Sequence, residues 1–149
     1  MPTYATNKKA RFEYDILETL EAGLVLTGQE VKSLRTKNTK LLGSFITFHN
    51  TDAFVTNLHI PTYPYAGHLP NYDPERSRKL LLKKKEIAYL RGKSAEKGLT
   101  IIPLSIYTKG RVIKLQIAIV RGKKLHDKRR TIKDRDQKRE SRRALKGDY

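Results

Sequence analysis

The residues of this chain that could do chemistry are mostly cations, and the chemistry they offer is the holding of phosphate. Lys8, Lys9 and Arg11 stand together in Asn7-Lys8-Lys9-Ala10-Arg11-Phe12-Glu13-Tyr14. Lys79 and Lys83-Lys84-Lys85 bracket Leu80-Leu81-Leu82, and Lys114 interrupts an apolar alternation near the end of the patterned sequence. Clustered cations neutralise phosphates and release their counterions. The first cluster reads equally as a phosphate clamp and as a solvated basic terminus. The lysines around the leucines read as a helix start with its solvated face, the leucines as core. Glu21, in Leu20-Glu21-Ala22-Gly23, reads first as an ion-pair partner. A carboxylate there could also accept hydrogen bonds from a base edge or a ribose hydroxyl, which a lysine cannot do. His49, His59 and His68 are irregularly spaced without matching carboxylates and read as ordinary histidines. His126 lies beside Asp127 in a segment with no core to join, where a planar ring is placed to stack on a base.

Other chemistry finds little to build on. The chain has no cysteine and only four His, which excludes disulfides, thiolate metal sites and a thiol nucleophile. It has no Gly-rich phosphate loop and no Ser or Thr with an evident base. Asp134 and Asp136 sit among Lys133, Arg135 and Lys138 and read as helix ion-pair partners. The expectation is a protein without catalysis or cofactor. A formal net charge of +17, from 32 Lys and Arg against 15 Asp and Glu, calls for a polyanion. Nucleic acid is favoured over a membrane, because no stretch approaches the ~20 apolar residues of a spanning helix and no long basic helix carries a bulky apolar face. Residues 1–11 have no apolar run like that of a signal peptide, so the expected place is the cytoplasm.

The elements that must position these residues fall into two parts, a body at 1–121 and a tail at 122–149. The tail carries 12 Lys and Arg against 5 Asp and Glu, a net +7 in 28 residues. It is too poor in apolar groups to fold alone. Asp127–Arg130, Asp134–Lys138 and Glu140–Arg143 nevertheless keep helical spacing, as in a segment that becomes helical when a polyanion neutralises it. In the body, Tyr14 to Leu26 reads as extended, with a bulge or sharp bend at Gly23. Gly28 to Arg35 reads as a short helix burying Val31 and Leu34. Phe45–His49 and Ala53–Leu58 flank a hairpin turn. The prolines of 61–78 predict a loop, and Lys83–Glu96 a helix with Ile87 and Leu90 inward and Gly98 ending it. Leu104 and Ile106, then Ile113, Leu115, Ile117 and Ile119, alternate with polar residues around a Lys109-Gly110 turn, giving one apolar and one basic, polar face. The expected fold is mainly β with two or three flanking helices, an OB-type antiparallel barrel and a basic C-terminal tail.

Five segments resemble one family: Asn7 to Arg11, Glu21 to Gly28, Glu30 to Arg35, Arg78 to Leu82, and Gly122-Lys123-Lys124-Leu125-His126-Asp127-Lys128-Arg129. In this order they look like the hallmark segments of small protein B, the bacterial tmRNA-binding protein of trans-translation. The resemblance covers nearly the whole chain, though the 61–78 loop matches poorly and Phe12 stands where many members have His. It implies an OB-fold that binds the tRNA-like domain of tmRNA and delivers it to stalled ribosomes without catalysis, accompanied by elongation factor Tu. By matching position it implies RNA-binding roles for Glu21, Leu81 and Lys114. Gly122, His126, Asp127, Lys128 and Arg129 would serve on the ribosome, at the small-subunit decoding centre and messenger channel. Two rival readings are an OB protein that binds RNA without rescuing ribosomes, and an RNA nuclease with an unrecognised site.

Overall fold

A computed structural model describes residues 2–123. In chain order the elements are β1 (Thr3–Thr6), α1 (Ala10–Glu13), β2 (Tyr14–Leu24), α2 (Gly28–Leu34), β3 (Phe45–His49), β4 (Asp52–Thr56), β5 (Arg78–Leu81), α3 (Lys84–Ser94), β6 (Leu99–Lys109) and β7 (Val112–Gly122). Adjacent strands are antiparallel, in the order β1-β6-β7-β2-β5-β4-β3. The sheet curls until β3 lies back against β6. The fold is a mainly β, OB-type barrel, and the described residues include three helices.

The apolar alternation of β7 explains the interior. Leu115, Ile117 and Ile119 point inward and join Leu34, Val55, Leu80, Leu90 and Ile106 in the main core, all at most 1% exposed. Burying each such side chain contributes roughly 1.5–3 kcal/mol. The outer face of the same hairpin is not wholly polar, contrary to the alternation read from sequence. Ala118 and Val120 pack with Ile102, Leu104 and Ala10 in a second core on the other side of the sheet. A register irregularity between Pro103 and Ser105 explains why Leu104 and Ile106 do not share a face. One extra residue in a strand reverses the side on which the following residues fall. Gly110 (φ 63°) makes the turn that closes the hairpin.

α2 begins with a capping box: Glu30 N–H donates to Thr27 Oγ1 (3.4 Å) and Thr27 N–H to Glu30 Oε1 (2.9 Å). Its buried residues are Glu30, Ser33 and Leu34, while Val31 is only half-buried. Glu30, at 0% exposure, meets Arg78, also at 0%, with Arg78 Nε donating to Glu30 Oε2 at 2.6 Å. Arg76 forms a second ion pair with the same carboxylate. Arg78 also donates to Leu58 O (2.5 Å), Pro74 O (2.9 Å) and the Tyr72 hydroxyl (3.0 Å). The proline-rich connection is thereby tied to α2 and β5. Burial of Glu30 is outweighed by the two guanidiniums and the Thr27 amide, which hold its carboxyl down at about 2.

Candidate RNA interface

β2 lies between β7 and β5. Gly23 on β2 pairs with Lys114 on one side and with Leu81 on the other, and Lys114 pairs in turn with Tyr107 on β6. Tyr107, Lys114, Gly23 and Leu81 therefore form one row across four strands. Glu21 stands two residues along β2, on the same face, opposite Gln116.

The leucine run resolves by strand alternation. Leu80 is in the core at 1% exposure, whereas Leu81 is 58% exposed. Leu80 and Leu81 belong to β5 and Leu82 follows it. Lys84 opens α3 with Lys83 at its N-cap, as the helix-start reading of the lysines has it, and the core reading is corrected for Leu81. Gly23 is no bulge: the irregularity of β2 lies between Ile16 and Glu18. Gly23 serves a close approach instead, because a Cβ there would stand 3.0 Å from Leu81 Cβ. The missing side chain lets Leu81 lie down over β2.

Glu21 accepts a hydrogen bond from the Tyr107 hydroxyl and lies 3.5 Å from Lys109 Nζ. The Tyr107 hydrogen bond first, then Lys109 and Lys114, hold its carboxyl below the usual range, so it is ionised at neutral pH. Burial and the Glu21 carboxylate push the Tyr107 phenol up to about 12, so it remains a donor. The ion-pair reading of Glu21 thus has partners, and its carboxylate stays 35% exposed with acceptor capacity to spare. Glu21, Leu81 and Lys114 line one groove of about 600 Å³, flanked by Lys79, Lys83 and Lys84. Such a groove offers ammonium groups to phosphates, an acceptor to a base edge or ribose hydroxyl, and an apolar surface to a base. Tyr107 and Lys109 escaped the reading from sequence. The short turn at Gly110, which sets Tyr107 opposite Lys114, was the signal for them.

The N-terminal cations do not line this groove. Lys8 and Lys9 are exposed ahead of α1, and Arg11 is exposed on it. Asn7 fixes the turn onto β6, with its N–H donating to Leu104 O at 2.7 Å. These cations lie instead where β7 ends: Gly122 pairs with Tyr14, Lys123 N–H donates to Glu13 O (3.1 Å), and Lys123 Nζ donates to Arg11 O (2.9 Å). The strand thus runs one residue past the boundary drawn at Arg121. His126, Asp127, Lys128 and Arg129 lie outside the described residues. No group of three or more His, Asp or Glu among the described residues could hold a metal ion. None of their helices is long and apolar enough to cross a membrane.

The model of the family described as SmpB protein matches residues 4–147. The chain belongs to this family. Among SmpB relatives, the SsrA-binding protein of Acaryochloris marina is 50% identical over 140 residues, covering 94% of this chain and 91% of the relative. That of Aquifex aeolicus is 52% identical over 144 residues, covering 96% and 91%. A solved chain described under "tmRNA-SmpB: a journey to the center of the bacterial ribosome" is 44% identical, with a TM-score of 0.69 over 84% of this chain and 87% of that one.

Proposed function

We propose that this chain binds the tRNA-like domain of tmRNA and carries it to stalled ribosomes, as a non-catalytic adaptor of trans-translation in the cytoplasm. The observation that carries the reading is the cross-strand row: the three residues that the family resemblance singles out for RNA share one groove of a basic SmpB chain. Lys114 and the rim lysines neutralise phosphates of a folded RNA. Glu21, ionised and held by Tyr107 and Lys109, accepts from a base amine or a ribose hydroxyl. Leu81 lies against the apolar face of an exposed base. Lys8, Lys9 and Arg11 add phosphate contacts beside the chain's exit from β7. Gly122, at the end of β7, and His126, Asp127, Lys128 and Arg129 beyond it engage the small-subunit decoding centre and messenger channel. Elongation factor Tu travels in the same delivery complex.

Filter binding of tmRNA against total tRNA tests the reading. Marked preference for tmRNA is expected, with the RNA intact after incubation with magnesium. Equal binding of the two RNAs, or cleavage of either, contradicts it.

A further inference from the structure

The proline-rich connection between β4 and β5 carries aromatic rings that the core does not use. Tyr65 is 84% exposed, the largest value among the exposed large hydrophobic residues described. Tyr63 meets it edge to face, with ring centroids 5.5 Å apart and planes at 68°. Lys32, from α2, sets its Nζ 6.0 Å from the Tyr63 ring centroid.

This segment is held in place. Tyr63 N–H donates to Gln29 Oε1 at 3.0 Å, Ser33 Oγ donates to Pro61 O at 2.5 Å, and Ala66 N–H closes a turn on Tyr63 O at 3.0 Å. The Tyr63 amide also fixes which end of the Gln29 amide is oxygen. Its Nε2 is then a buried donor with no hydrogen-bond partner among the described residues. Gln29 lines a mostly apolar hollow of about 420 Å³ with Leu69, Pro70 and Tyr72. A buried donor left unmade is costly. Anchored tyrosine rings beside an ammonium group, on a chain of net charge +17, match a nucleotide: its base stacks and its phosphate meets the cation.

We propose that Tyr63, Tyr65 and Lys32 form a stacking platform for an unpaired RNA base, a second contact that shares no residue with the groove of Glu21, Leu81 and Lys114. The inference rests on the RNA-binding reading given above. An unpaired base of tmRNA and one of ribosomal RNA present the same chemistry, so the test has two arms. The full chain and its Tyr65→Leu, Tyr65→Phe and Lys32→Gln variants are titrated against tmRNA and against small ribosomal subunits.

Tyr65→Leu keeps apolar area but not the ring, and is expected to weaken binding by roughly 5- to 150-fold in one arm. That arm identifies the RNA. Tyr65→Phe should bind like the parent. Both should keep the parent's urea midpoint, since the side chain is almost fully exposed. In the affected arm Lys32→Gln should flatten the log–log salt dependence by about 0.7 to 0.9. Parent-like affinity of Tyr65→Leu in both arms overturns the platform while leaving the groove intact. A parent chain that binds neither RNA overturns the RNA-binding reading itself, and the platform with it.

Discussion

Exchanging Glu30 for Gln should unfold this protein more easily than any surface substitution, and the size of the effect follows from its neighbours. Gln preserves the shape and the acceptor that caps Thr27, so the local start of α2 survives. What disappears is the charge facing Arg76 and Arg78. Arg76 is 35% exposed and can turn to water, but Arg78 is 0% exposed and keeps only neutral acceptors. Removing one partner of a buried pair costs about 3–5 kcal/mol, because the other charge is left uncompensated. Linkage gives a similar figure. A carboxyl held at about 2 instead of 4.5 contributes roughly 3 kcal/mol, at ~1.4 kcal/mol per pH unit. Because the folded value lies below the unfolded one, this contribution is fully present above about pH 5 and fades as the pH falls towards about 2. Urea unfolding of the parent and Glu30→Gln, near neutrality and stepped down to about pH 3, reads both effects. The gap between the two midpoints should be large at neutrality and should narrow in acid. A destabilisation under about 1 kcal/mol at neutrality, or a gap that does not change with pH, refutes the reasoning.

Lys114→Gln should weaken tmRNA binding and lower the log–log salt slope by about 0.7 to 0.9. Glu21→Gln should weaken it with the slope unchanged, and Tyr107→Phe should add little in the Glu21→Gln background; additive losses in that double-mutant cycle would separate Tyr107 from Glu21. Gly23→Ala puts a Cβ 3.0 Å from Leu81 Cβ, so it should displace Leu81 and lower RNA affinity in filter binding while the chain stays folded by circular dichroism. A chain ending at Lys123 should keep tmRNA affinity within about tenfold, roughly 1.4 kcal/mol. His126→Ala in the full chain should abolish peptide tagging on stalled ribosomes with tmRNA binding intact, as measured by tagging assays run beside the same binding assay.

What was legible in the residues was whatever depends on near neighbours. The β3–β4 hairpin, the β6–β7 pair and the inward pair Ile87 and Leu90 follow from alternation and helical spacing, and all are present. Glu30 was not read as a buried residue, because half of its environment is remote: Thr27 caps it locally, but Arg76 and Arg78 arrive 46 and 48 positions later. β5 was missed for a similar reason. A short central strand in Arg78-Lys79-Leu80-Leu81 shows its two faces only once β2 and β4 flank it. β1, in a segment with few apolar residues, is a strand because β6 supplies its partner. The groove was legible only as separate residues. Family resemblance named Glu21, Leu81 and Lys114 together, and the register through Gly23 supplies the physical reason for their company.

The same register sets a clock on biosynthesis. Gly23 pairs with Lys114, 91 positions later, and Tyr14 with Gly122. At a synthesis rate of ~5–20 residues per second, β2 waits roughly 5 to 20 s for its longest partner to be made. During that interval Ala22 and Leu24, both destined for the core, have no β7 to cover them. Long-range pairing of this kind closes late and slowly. A nascent chain of this protein must therefore stay uncommitted until β7 exists, and only then does the groove of Glu21, Leu81 and Lys114 come into being.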